Sequence, residues 1–258
     1  MSGPGRAAAT TRVLHALDEV ESTQSVLAGL AAGGAPEGTV VTARHQTGGR
    51  GRRGRAWWDR PGESLLLSLL LRPRIDASRA AQLSLVGALA VTDALGTAAQ
   101  VDARIRWPND VLAAGRKICG ILLEGAAGSD GRLDHVILGI GINVDQTAFP
   151  DELGERATSL RLLTGRSHDP ARLLEHVLDA LERRYAEWRG QGFRRLRAAW
   201  RERAFTLGRP VVMPGGTTGV AVDIAEDGAL LVRTTAGPLE RVVSGEVETI
   251  AGAPVGRD

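Results

Sequence analysis

The chain has 258 residues, 43% of them apolar and 24% charged, which is enough to bury one large core with a small unit attached. Its net charge is only +2, so no globally basic surface for bulk nucleic-acid binding is implied. A single cysteine, Cys119, excludes an internal disulfide and fits a reducing compartment.

The lead up to about residue 20 carries no signal-peptide pattern and reads as irregular, and no run along the chain is expected to span a membrane. A cytoplasmic location follows as the expectation. Glu21-Ser22-Thr23-Gln24-Ser25 then precedes Val26, Leu27 and Leu30, with Gly33-Gly34 after them. That is a capped helix starting at Ser22 or Thr23. A helix start offers unpaired N–H groups to a polar ligand, and an ordinary N-cap fits the same residues.

Residues 38–44 predict a strand that runs into Gln46-Thr47-Gly48-Gly49-Arg50-Gly51-Arg52-Arg53-Gly54-Arg55, followed by Trp57 and Trp58. Glycines interleaved with arginines combine backbone freedom with like-charge repulsion, so the loop is expected to order on an anion such as phosphate. A solvated basic loop and an Arg-Gly nucleic-acid segment are the competing readings.

Residues 63–72, ESLLLSLLLR, predict a strand buried on both faces, and 77–97 a core-packing helix. Next comes ARIRW, the polar turn Trp107-Pro108-Asn109-Asp110, a short strand through Val111 and Leu112, a turn at Gly115 and a longer strand. That last strand opens with Lys117, the only lysine of the chain; every other residue of the Lys+Arg class is arginine. A lysine kept in so arginine-rich a chain suits a site needing a compact ammonium on one oxygen, although a chance survivor on a strand edge fits equally. Strict alternation sets Lys117, Cys119, Ile121 and Leu123 on one face and Ile118, Gly120, Leu122 and Glu124 on the other. Cys119 then reads as a buried structural thiol.

After a Gly128-Ser129-Asp130-Gly131 turn, the strand at 135–144 alternates Val136, Leu138, Ile140 and Ile142 with Gly139, Gly141 and Asn143. The second face is nearly bare, open to a ligand or to tight packing against a helix. Residues 170–189 form an amphipathic helix, and Phe193, Leu196 and Trp200 organise a second one whose arginine face reads as solvated exterior. From Gly208 onward short strands separated by Gly-rich turns suggest a small barrel. Two domains are expected, 1–207 and 208–258. The five histidines are too scattered for a zinc site.

Taken in order, STQ, QTGGRGRRGR, RWPNDV, GRKICGILLE and GIGINV resemble the motif series of the biotin protein ligases. The likeness runs from about Val20 to the end. One departure is Gln24, where many members carry Asn. The resemblance implies an α+β fold: a central mixed sheet flanked by helices, class II synthetase-like, with a C-terminal SH3-like barrel. It implies that ATP and biotin form biotinoyl-5′-AMP, which then acylates one lysine on the biotin carboxyl carrier domain of a biotin-dependent carboxylase. With roughly twenty residues ahead of the first motif, operator DNA binding is not expected, and neither is a membrane partner. The protein is expected to be a monomer or a weak homodimer.

By the same resemblance Lys117 contacts the biotin carboxylate and the α-phosphate, with Arg50 and Arg52 as its catalytic partners and Arg55 closing over the phosphates. Ser22, Thr23, Gln24, Gln46, Gly51, Gly120, Gly139 and Gly141 form the biotin site. Asn109, Asp110, Asn143 and Trp57 belong with the nucleotide, Trp57 as a shield from water and Asp110 as a ligand of Mg²⁺. Lipoate or octanoate transfer and nucleic-acid binding are the alternative functions.

Overall fold

The computed structural model describes residues 12–128, 131–243, 245 and 247–249. Two sheets organise them. The first has seven strands: β1 (Val13–Val20), β2 (Thr39–Gln46), β3 (Ser64–Leu71), β4 (Ala103–Arg106), β5 (Asp110–Ala113), β6 (Arg116–Ala127) and β7 (Leu133–Asn143). Their spatial order is β1-β2-β3-β7-β6-β5-β4. Only the β1–β2 pair is parallel, because α1 (Thr23–Ala32) carries the chain back between them, so the sheet is mixed as expected.

The strand β1 was not legible in the sequence. It is an edge strand with mostly exposed side chains, Val13 and Leu14 among them, so no buried face imposes an alternation. Residues 1–11 of the expected irregular lead lie outside the described residues, as do Ser129 and Asp130 of the expected turn. In contrast, all eight residues of β3 are buried, in keeping with its continuous apolar run.

One face of the sheet is covered by α2 (Ala81–Ala99), backed by α4 (Pro170–Gln191) and α5 (Phe193–Glu202). Leu138, Ile140 and Ile142 of β7 and Leu83, Val86 and Leu95 of α2 share this core. The expectation that no run could span a membrane needs correction. Residues 77–99 are long and apolar enough by composition, but most of that stretch is buried inside the fold, which accounts for its apolarity. The other face is only half covered. There α1 packs Leu27 and Ala31 on Val41, Leu70 and Ile137. Beyond it Gly139, Gly141 and Gly120 leave the sheet bare.

The second sheet is antiparallel, in the order β11-β10-β9-β8-β12, from β8 (Pro210–Val212), β9 (Thr218–Ile224), β10 (Leu230–Thr234), β11 (Leu239–Val242) and β12 (Glu248–Thr249). It is the small SH3-like unit expected at this end. The connection to it covers the free edge of β4: Ile105 N–H donates to Arg203 O at 2.7 Å and Phe205 N–H to Ile105 O at 2.8 Å. The indole of Trp107, next to a cis Trp107–Pro108 peptide, donates to Gly228 O at 3.0 Å.

Candidate active site

The bare half of the sheet floors a deep cavity of about 60 Å³ that opens beside a wider cleft of about 790 Å³. Ser22, Thr23, Gln24, Gln46, Arg50, Gly51, Arg52, Trp57, Asn109, Lys117, Gly120, Gly139 and Gly141 all line the deep cavity. Arg55 lines the cleft together with the rest of the Gly-Arg loop. Neither Asp110 nor Asn143 lines either space.

At the inner end, α1 begins with Ser22 extended as N-cap and making no side-chain cap bond, so its hydroxyl is not committed to the helix. Gln46 Oε1 accepts from both Thr23 N–H, at 2.8 Å, and Thr23 Oγ1, at 3.0 Å. Thr23 Oγ1 is also 2.9 Å from Ser68 Oγ on β3. The run ESLLLSLLLR contained a signal for Ser68, because a serine inside a strand buried on both faces needs a polar partner.

Gln24 is 4% exposed, yet neither atom of its carboxamide has a hydrogen-bond partner. The side chain lies on Gly139 so closely that a Cβ there would stand 2.1 Å from Gln24 Oε1. A buried amide left unpaired costs about 1–3 kcal/mol, so this group suits a ligand offering both a donor and an acceptor.

Trp57 covers the other two glycines. A Cβ on Gly141 would lie 2.6 Å from the indole, and one on Gly120 would lie 2.9 Å from it. The indole N–H is buried without a partner. The sequence motif placed this ring at the site; its contact with the glycine floor required the fold.

Lys117 departs from the alternation expected of β6. Val111 pairs with Cys119 but Leu112 pairs with Lys117, so a β-bulge adds one residue at Ile118. Ile118 and Cys119 are both fully buried in the core, and Lys117 emerges on the face of Gly120, where a Cβ would lie 3.2 Å from Nζ. The lysine therefore faces the cavity, away from Cys119. Burial pushes the Cys119 thiol well above its ordinary value, which makes it inert.

The backbone of Lys117 is fixed from behind: Thr158 N–H donates to Lys117 O at 2.9 Å, and Asn143 Nδ2 to Thr158 O at 3.0 Å. Asn143 is thus 4% exposed and donates its amide to this segment.

Lys117 Nζ is 2.6 Å from Asp110 Oδ1, and Arg106 Nη2 is 2.5 Å from Asp110 Oδ2. Burial raises the Asp110 carboxyl, but Lys117 and then Arg106 outweigh it and hold the group below the usual carboxylate range. Both oxygens are thus engaged by cations. Among the described residues no cluster of three His, Cys, Asp or Glu could hold a metal, and the donor set does not fit a protein-bound Mg²⁺.

The Gly-Arg loop closes as a hairpin, with an Arg50–Ala56 bridge and Gly51 N–H donating to Arg55 O at 2.6 Å. Arg53 turns the chain in the left-handed region, at φ 57°. Arg50 is 2.8 Å from Glu124 and Arg52 Nη1 2.9 Å from Asn109 Oδ1. Both arginines thus also have partners within the protein. Burial, with Arg53 beside it, pushes the Arg52 guanidinium below its ordinary value, so a phosphate would be welcome there. The far walls of the cleft, Ser84 of α2 and Val243 just beyond β11, carried no signal in the sequence.

Comparison with known proteins agrees with this geometry. Residues 17–143 match the model of the Biotin/lipoate A/B protein ligase family, and residues 206–249 that of the Biotin protein ligase C terminal domain. The chain is 43% identical over 209 residues to a biotin–[acetyl-CoA-carboxylase] ligase of Paracoccus denitrificans, covering 76% of this chain and 85% of that one. It is 40% identical over 236 residues to the bifunctional ligase/repressor BirA of Bacillus spizizenii, covering 90% of this chain and 72% of that protein. Among solved structures, a biotin protein ligase from Aquifex aeolicus in complex with biotin and ATP superposes with a TM-score of 0.81. That match has 33% identity and covers 92% of this chain and 98% of that one.

Proposed function

The chain belongs to the biotin protein ligase family, and from that premise we propose how its site carries out the ATP-dependent biotinylation of a protein lysine. Biotin lies with its ureido ring between Thr23, Gln46 and Gln24, and its carboxylate reaches Lys117. One carboxylate oxygen attacks the α-phosphorus of ATP, forming biotinoyl-5′-AMP as the bond to pyrophosphate breaks. The lysine amine of the carrier then attacks the acyl carbon, giving the amide and releasing AMP with a proton. Two anions must meet in the first step, and Lys117, Arg50 and Arg52 supply the positive charge that offsets their repulsion. Arg55 approaches the phosphates, Gly51 lets the loop backbone close on them, and Asn109 stands on the nucleotide side, while Asn143 acts from behind, through Thr158 and the backbone of Lys117. Trp57 keeps water from the mixed anhydride.

The observation that carries the reading is the Gln24 carboxamide, buried with both polar atoms unpaired against bare Gly139. A cyclic urea satisfies it; a dithiolane does not. The lipoate alternative and the nucleic-acid alternative are therefore not favoured. The acceptor is the biotin carboxyl carrier domain of a biotin-dependent carboxylase, met in the cytoplasm by a monomer or weak homodimer.

Purified protein given ATP, Mg²⁺ and biotin releases pyrophosphate and labels a carrier domain, and Lys117→Ala abolishes the transfer while leaving the fold intact. Calorimetry with biotin against lipoate separates the two ligand classes. A wild-type protein that labels no carrier domain overturns the reading.

A further inference from the structure

Asp110 stands beside the one lysine of the chain, and its surroundings do not suit the Mg²⁺ ligand suggested by the sequence. Its side chain is 15% exposed, with Arg106 on one oxygen and Lys117 on the other. A divalent ion on the same carboxylate would stand within a few ångström of two unit positive charges, in a partly buried place where screening is weak. The register of the sheet explains why the trio exists. Arg106 and Asp110 are directly paired across β4 and β5, and the bulge at Ile118 turns Lys117 onto their side. Without the extra residue the ammonium would face the core with Cys119. The only carboxylate among the described residues that lines either cavity is Glu124, and Arg50 already holds it.

We infer that Asp110 is a positioning residue, anchored by Arg106, that aims the Lys117 ammonium into the site, and that the divalent cation arrives on the nucleotide phosphates and not on this carboxylate. The inference rests on the ligase reading for its kinetic consequence but not for its geometry. Asp110 acts through Lys117, so its loss disorders the ammonium without removing a metal ligand.

The lone lysine makes this measurable. Protein grown with [ε-¹³C]lysine gives a single Cε resonance, that of Lys117. Asp110→Asn is expected to move that resonance and to lower the kcat of pyrophosphate release roughly tenfold to a hundredfold. The Mg²⁺ concentration for half-maximal rate should stay within about twofold of wild type. In wild-type protein, Mn²⁺ alone leaves the Cε signal sharp, whereas Mn²⁺ with ATP broadens it.

Broadening by Mn²⁺ without nucleotide overturns the inference, and so does a rise of about tenfold or more in the Mg²⁺ requirement of Asp110→Asn. An unchanged resonance with an unchanged rate in that variant overturns it as well. If wild-type protein releases no pyrophosphate, the ligase reading fails, and the resonance and the Mn²⁺ titration still decide the role of Asp110.

Discussion

Replacing Gly139 by alanine tests the pocket at its tightest point. The added methyl would lie 2.1 Å from Gln24 Oε1 and 2.8 Å from its Cδ, well inside the ~3.5 Å of an ordinary contact. The strand cannot yield, because Gly139 sits in the middle of β7, paired with Ser68 on one side and Leu122 on the other. Gln24 must therefore move, and the space open to it is the cavity of about 60 Å³ that the ligand head needs. Overpacking of this kind costs about 1–3 kcal/mol, and it is borne by the complex more than by the fold, since Gln24 has no partner to lose. The expected result is a biotin Kd raised about five- to 150-fold, with Tm lowered by less than about 4 °C. Isothermal titration calorimetry and a thermal melt measure both quantities. Gly96→Ala, where a methyl meets nothing within 4 Å, serves as the control that binds normally. A Gly139→Ala protein that binds biotin within about twofold of wild type would refute the placement of the ligand head on this glycine.

Lys117→Arg should lower pyrophosphate release by about a hundredfold or more, because a planar fork cannot replace an ammonium wedged between Gly120 and Asp110. Retention of activity within about threefold would show that any cation suffices. Asp93 is 10% exposed and receives Arg184 at 2.8 Å and Arg183 and Arg203 at 3.3 Å each. Asp93→Ala removes the acid that Arg184 shares with the more exposed Arg183 and Arg203, Arg184 keeping Glu187, and should cost about 1–2 kcal/mol, a Tm drop of about 2–8 °C by calorimetry. Acid unfolding offers a further check. Lys117 and Arg106 override burial to hold Asp110 below its ordinary value of 3.8, so its contribution to stability is full above that value. It is lost as the pH falls through the lower folded value. Circular dichroism below pH 3.8 should therefore show a shallower acid transition for Asp110→Asn than for wild type, and identical slopes would refute the assignment.

Wherever burial imposed a period, the sequence was readable. The eight buried residues of β3, the glycine face of β7 and the stripe of α4 all stand where their patterns put them. The motif residues likewise converge on one cavity from α1, the Gly-Arg loop, β6 and β7. What escaped had no period to read. The edge strand β1 is solvated, so its composition records no face. A bulge inserts a single residue, and Ile118 looks like any other strand residue until its neighbours across the ladder are counted. Asp110 illustrates a subtler limit. Its proximity to the site was correct, but its chemistry depends on which cations the ladder sets beside it.

The clamp on Lys117 has a bearing on what the enzyme does to itself. An acyl phosphate escaping from the pocket modifies whatever nucleophilic side-chain nitrogen it meets, and on most proteins that is an exterior lysine. Guanidinium groups stay protonated and do not react, so this chain offers the electrophile almost no target of its own. The one side-chain amine it keeps is paired with Asp110 at 2.6 Å inside the site, not set out on the exterior.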